Sequence, residues 1–222
     1  MKIAILGTGM VGSTLGTKLV SLGHEVTMGS RSADNEKGLA WVESTGGKGS
    51  LGTFADAAAF GEIALNCTAG VASLDAVEAA GADNLRGKIL LDISNPLDFS
   101  KGFPPTLSIM GDDSLGEAIQ RALPDTKVVK TLNTVACTVM IDPGKLQADT
   151  DIFVSGNDAE AKGTVTNFLR EQFGWKRVVD LGDISTARGT EAWLLLWTRL
   201  YGALGNAEFN MALVPAGARA DA

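Results

Sequence analysis

The sequence is poor in the residues that organise small secreted or metal-bound folds. Its two cysteines, Cys67 and Cys137, lie far apart without a CxxC pair, and His24 is the single histidine. A disulfide framework and a His/Cys metal cluster are excluded as organising features. Basic residues are the minority charge: 19 Lys and Arg against 26 Asp and Glu leave a net charge of −7. With no basic block either, the expected partners include neither nucleic acid nor an anionic membrane. Long hydrophobic runs are missing as well. MKIAILGTGMVG breaks at glycines too soon for a signal peptide, and AWLLLWTRLYGALG is interrupted by Arg199 short of a bilayer span. A cytoplasmic, reducing setting is the expectation.

Glycine is abundant, at 27 of 222 residues, and 45% of the chain is hydrophobic, which provides tight turns and an ample core. Short β-branched or Leu-rich runs alternate with Ala-rich stretches of helical length, the pattern of a parallel α/β sheet. KIAIL, EVTMG, EIALNC, KILLDI, KVVKTL and DIFVSG read as strands, and MVGSTLGTKLVSL as a helix. A second helix, AEAKGTVTNFLREQF, follows Asn157 or Asp158 as cap and puts Val165, Phe168, Leu169 and Phe173 on one face. SADNEKGLAWVESTGGKGSLG and NPLDFSKGFPPTLSIMGDD read as loop-rich excursions. Residues 1–182 are expected to form one α/β domain and 183–222 a C-terminal extension. In that extension TEAWLLLWTRLYGALGNAEFNMAL is apolar on nearly every side of a helix, so it must be buried, either in its own subunit or against a second copy. Hiding Trp193, Trp197 and Tyr201 in so short a tail favours a homodimer.

Directly after the first strand stands Gly7, Thr8, Gly9, Met10, Val11, Gly12, a GxGxxG that opens a helix. Gly7 permits the turn, Gly9 lets backbone approach a pyrophosphate, Gly12 lets helix lie on strand, and the helix N-terminus offers free amides to the diphosphate. The alternative is a glycine-rich turn without a ligand. An NAD site usually ends its second strand on Asp or Glu, whereas here Gly29 is followed by Ser30, Arg31 and Ser32. A hydroxyl and a guanidinium suit the extra phosphate of NADP(H); the competing reading is an Arg solvated on a loop. Lys37 adds charge nearby or lies on the surface.

Three further loops belong at the carboxyl edge of the sheet, where cofactors bind in such folds. They are Cys67 to Gly70 with Thr68 and Ala69, then Ser94, Asn95 and Pro96, then Asn133, Thr134, Val135 and Ala136. Asn133 is a candidate to hydrogen-bond the nicotinamide amide or an acceptor; each loop has an ordinary polar loop as its alternative. Cys67 and Cys137 read as buried small residues because neither has a His or Lys activator beside it. His24 reads as structural. Hydroxyl-oxidising dehydrogenases need a general acid or base, yet no lysine follows Lys176 and the one tyrosine, Tyr201, is in the apolar tail. Hydride passage between two planar cofactors needs little beyond alignment and exclusion of water.

GTGMVGSTLGTKLVSLGHEVTMGSRS, KVVKTLNTV, DIFVSGNDAEAK and DLGDISTARGTE together resemble the F420-dependent NADP oxidoreductases over nearly the whole chain. The resemblance implies a Rossmann-type, doubly wound, mostly parallel α/β fold with a small C-terminal helical extension that helps form a dimer. It implies that Thr8, Ser30 and Arg31 bind the phosphate of NADP, that the nicotinamide lies near Asn133 to Ala136, and that coenzyme F420 stacks on it as hydride acceptor. Two features depart from better-known members: Asn133 to Ala136 replaces a His and Ile-Pro turn, and the segment Ser94 to Gly111 is longer. That segment either closes over an acceptor or blocks a deazaflavin. The competing readings are an NADPH-dependent reductase of a flavin, a quinone or a ferric chelate, and a non-catalytic NADP-binding redox sensor.

Overall fold

The computed structural model describes residues 1–214; the last positions of the expected extension, 215–222, lie outside the described residues. Strands β1 (Lys2–Leu6), β2 (Glu25–Ser30), β3 (Gly49–Thr53), β4 (Ile63–Asn66) and β5 (Ile89–Asp92) alternate with helices α1 (Met10–Ser21), α2 (Glu36–Ser44), α3 (Phe54–Phe60), α4 (Ser73–Ala80) and α5 (Ala82–Leu85). A hairpin of β6 (Leu97–Asp98) and β7 (Thr106–Leu107) precedes α6 (Leu115–Ala122) and β8 (Lys127–Thr131). Then follow α7 (Cys137–Met140), β9 (Asp151–Ser155), α8 (Ala159–Phe168), β10 (Arg177–Gly182) and α9 (Ala187–Leu204).

Eight strands form one sheet in the order β10-β9-β8-β5-β4-β1-β2-β3. From β3 to β8 every pairing is parallel; β9 joins β8 antiparallel, and β10 runs parallel to β9. This is the Rossmann-type, doubly wound arrangement that the sequence implied. The chain turns outward in both directions from the β1/β4 pair, which opens a crevice at their carboxyl ends. Alternation along β1 sends Ile3 and Ile5 into a core with Leu15, Leu19, Trp41, Val165 and Trp175, and Ala4 and Leu6 into a second core with Ala57, Ala64, Ala76 and Val77. The small residues of that second face let α3 and α4 lie close to the sheet.

Four sequence expectations are corrected. The excursion after Arg31 holds α2 and β3, because Asn35 caps α2 by accepting from Gly38 N at 3.0 Å. Strand β3 is cryptic because Trp41 covers it: a Cβ at Gly49 would sit 2.3 Å from the Trp41 ring, so glycine stands where strands usually carry β-branched residues. The edge strand β10, half exposed, lacks the buried run that marked the others. Helix α9 stops at Leu204, where Gly205 adopts φ 68°, and of the two ways of burying it, complete packing inside its own subunit is the one corrected. Its packed face is Ala187, Thr190, Glu191, Leu194 and Thr198, while Leu196, Tyr201 and Leu204 are 51%, 42% and 55% exposed. Among the described residues no helix is long and apolar enough to cross a membrane.

Candidate functional site

The glycine loop sits at the crevice for steric reasons that differ by position. Gly7 has φ 116°, which a side chain rarely adopts, and a Cβ there would come within 3.0 Å of the Cys67 carbonyl oxygen. At Gly12 a Cβ would lie 2.2 Å from the Gly7 carbonyl oxygen, so helix and turn interlock. Gly9 is different: its φ is −77° and a Cβ would meet nothing within 4 Å. The protein itself does not need glycine there, whereas a ligand approaching the backbone does. Helix α1 starts with no side-chain cap and no acidic residue in its first turn, leaving free amides and a partial positive charge toward the crevice. The cradle therefore fits a dinucleotide diphosphate.

A cavity of about 470 Å³ continues from this loop, lined by Gly7, Thr8, Gly9, Ser30, Arg31, Asn35, Phe54, Cys67, Thr68, Ala69, Asp75 and Ala76 among others. No carboxylate closes the end of β2. Arg31 is exposed at the cavity, Ser30 is buried and donates to its own turn at Ser32 O over 2.6 Å, and the Ser32 hydroxyl is turned away to Asp34. Thr68 is fixed by donating to Asn66 Oδ1 at 2.6 Å.

A second cavity of about 380 Å³ shares Cys67, Thr68 and Ala69 with the first and adds Val11, Gly70, Val71, Ile93, Ser94, Asn95, Leu97, Asp98 and Phe99. Apart from Ser94, Asn95, Thr68 and Asp98 its lining is apolar or small. Burial, with Asp92 second, pushes the Cys67 thiol up, so Cys67 is no thiolate nucleophile. Asp98 is held below the usual carboxylate range by hydrogen bonds from Ser100, backbone first, so it is ionised and supplies no acid at neutral pH.

The expected site residues thus divide. Gly7, Thr8, Gly9, Ser30, Arg31, Thr68 and Ala69 share the first cavity, and Val11, Thr68, Ala69, Ser94 and Asn95 the second. Met10 faces an adjoining groove with Lys37 and Trp41. Gly12 and Ser32 line neither cavity, nor do Asn133, Thr134, Val135 and Ala136. Asn133 is engaged within the protein: its side-chain amide donates to Asn95 Oδ1 at 2.9 Å and to Thr190 O at 3.0 Å, and its backbone carbonyl accepts from Asn95 Nδ2 at 2.8 Å. Asn133 stands behind Asn95 and reaches the cavity through it. Leu132, at φ 61°, is the non-glycine residue in the left-handed region that makes this turn. Asn35 and Phe54 escaped sequence reading; the capping box from Thr53 to Asp56 was the signal that a strand ends and a helix begins there.

The fold and the glycine cradle define a Rossmann-type dinucleotide-binding protein, and its relatives make it an NADP-dependent oxidoreductase. A family model described as NADP oxidoreductase, coenzyme F420-dependent, matches residues 2–96. The chain is 31% identical over 204 residues to the F420-dependent NADP reductase of Methanothermobacter marburgensis, covering 86% of this chain and 88% of that protein. The enzyme of the same name from Methanocaldococcus jannaschii is 36% identical over 111 residues, half of this chain and 49% of that relative's length. A crystal structure of a candidate F420-dependent NADP reductase from Arthrobacter sp. FB24 superposes with a TM-score of 0.93 at 51% identity, covering 97% of this chain and 100% of that one. The chain belongs to the F420-dependent NADP reductase family.

Proposed function

We propose that the protein transfers hydride between NADP(H), anchored in the first cavity with its nicotinamide reaching the rim at Thr68, Ser94 and Asn95, and a deazaflavin of the F420 type in the second. The observation that carries this reading is the pairing itself: a diphosphate cradle without a carboxylate at β2 opens, across Cys67 to Ala69, into an apolar cavity without an acid or a thiolate. Free α1 amides take the diphosphate, and Thr8, Ser30 and Arg31 take the ribose phosphate. For Ser30 this requires its hydroxyl to turn from Ser32 O to the incoming oxygen. Thr68, Ala69, Ser94 and Asn95 flank the nicotinamide, and the apolar wall with Phe99 excludes water. When bound, the dinucleotide supplies the hydride. The side chains contribute alignment and no proton transfer, which suits two planar partners.

Residues 1–182 serve as the dinucleotide-binding unit in this reading, with the segment from 183 onward completing the acceptor side. The exposed face of α9 at Leu196, Tyr201 and Leu204 is the homodimer contact. The test mixes protein, NADPH and oxidised deazaflavin and follows loss of the deazaflavin's visible absorbance, then repeats with NADH. Turnover with NADPH alone is expected. NADPH oxidation only with a flavin, quinone or ferric chelate overturns the acceptor, and tight binding without turnover on any acceptor makes the protein a sensor.

A further inference from the structure

Beneath the second cavity lies a buried charge cluster that dinucleotide binding does not require. The Lys130 side chain is 0% exposed; its Nζ donates to Asp92 Oδ2 at 2.8 Å and to the Ser94 carbonyl at 2.6 Å, and forms an ion pair with Glu191 Oε1 at 2.8 Å. Asp92 Oδ1 accepts from Asn66 Nδ2 at 2.9 Å, Ser94 N at 3.2 Å and Ser94 Oγ at 2.6 Å. Glu191 reaches from α9 to the start of α6, accepting from Leu115 N at 2.8 Å and Gly116 N at 3.0 Å. One cation and two carboxylates leave an excess negative charge, which the amides at the α6 N-terminus offset.

Apolar residues of equal volume at such positions usually give equal or greater stability, so stability alone does not account for ions here. What the cluster does is geometric. Two of its members hold Ser94 by three separate hydrogen bonds, and the next residue, Asn95, is held by its side-chain exchange with Asn133, itself tied to Thr190 of α9. Both residues line the cavity. The Ser94–Asn95 turn is thus fastened twice to α9, once through Lys130 and Glu191 and once through Asn133 and Thr190.

We propose that Lys130 is a positioning residue for the second cavity, acting with Asp92 and Glu191 to set the Ser94–Asn95 turn, so that the C-terminal helix governs the geometry in which hydride is passed. The inference rests on the reading of that cavity as the place of transfer. Glu191→Gln in the full chain keeps the volume and the Lys130–Asp92 pair; Lys130→Met removes the centre. For each folded variant we expect kcat with NADPH and the deazaflavin to fall about tenfold, the loss that a small misplacement of reacting partners brings, while NADPH affinity falls by no more than about twofold, because its diphosphate and ribose-phosphate contacts lie in the first cavity, away from the Ser94–Asn95 turn that meets only the nicotinamide end. Hydrogen exchange should rise at residues 94–99 and remain unchanged at residues 7–12. Wild-type kcat with a lowered Tm, or exchange raised throughout the chain, overturns the proposal and leaves a merely structural cluster. If Lys130→Met does not fold, Glu191→Gln decides. If the wild-type protein reduces no deazaflavin, the acceptor reading fails, and the exchange comparison still decides the positioning role by itself.

Discussion

A Cβ added to Gly70 would lie 1.9 Å from the Asn95 carbonyl oxygen. The loop after β4 and the loop after β5 thus touch backbone to backbone where they line the second cavity. Gly70→Ala cannot be absorbed by a flexible side chain, since the atoms it meets belong to Asn95 and Pro96 backbone. The two loops must part, at a cost of about 1–3 kcal/mol typical of overpacking. The expected outcome is a lower Tm together with a kcat reduced by about tenfold, measured by thermal melting and steady-state kinetics. Wild-type kcat would show that the contact does not set the transfer geometry.

Within the glycine loop, two substitutions separate folding from binding. Gly12→Ala drives a methyl group to 2.2 Å from the Gly7 carbonyl oxygen and should destabilise the protein as well as weaken NADPH. Gly9→Ala meets no protein atom within 4 Å and keeps an allowed φ of −77°, so its Tm should change little, within about 1 kcal/mol for a cap position. NADPH affinity should nevertheless fall about tenfold or more, because the methyl group occupies the ligand's approach. Fluorescence titration beside a melt checks both. A Gly9→Ala protein that binds NADPH normally would remove the diphosphate from this cradle.

Why residues lining both cavities were legible in the sequence, and the bonds that hold the second in shape were not, follows from the range of the interactions. Gly7 to Gly12 and Ser30 to Arg31 are local signals, each written within one strand-turn-helix unit. The second cavity depends on partners far apart in the chain: Asn95 with Asn133, Lys130 with Asp92 and Glu191. A segment that reads as apolar on nearly every side gives no local sign that its packed stripe in α9 carries Thr190, Glu191 and Thr198. Likewise β3 was hidden because Trp41, a residue of the preceding helix, supplies the cover that its own glycines lack.

Arg31 discriminates between dinucleotides if the ribose phosphate lies where the open end of β2 allows it. Arg31→Ala removes charge-assisted hydrogen bonds worth about 1.5–3 kcal/mol to a charged partner, or about 10- to 100-fold in affinity. KM for NADPH should rise by that factor while KM for NADH changes little. Since Arg31 is exposed, its removal should leave Tm within the range of ordinary surface substitutions. Equal effects on the two dinucleotides would remove the phosphate from Arg31.

The clamp between α6 and α9 should be sensitive to acid. Arg188 donates to Glu117 Oε2 at 2.9 Å through Nε and to Oε1 at 2.6 Å through its terminal nitrogen, and Ser114 Oγ adds a bond of 2.7 Å. Arg188 is the main reason that the Glu117 carboxyl is held below the usual glutamate range, with burial opposing and Ser114 assisting. A carboxyl whose folded pKa is depressed contributes stability above its unfolded value, and loses that contribution as pH falls through the folded value. Glu117→Gln should therefore cost about 0.5–1 kcal/mol at neutral pH, a range that allows for solvent reaching Arg188. The difference from wild type should shrink toward zero in acid, once the pH lies below that depressed folded value. Urea unfolding of both proteins at neutral pH and in acid measures it. A deficit that persists unchanged in acid would mean that the glutamine perturbs packing at α6, because a lost ion pair has no way to outlast protonation of its carboxylate.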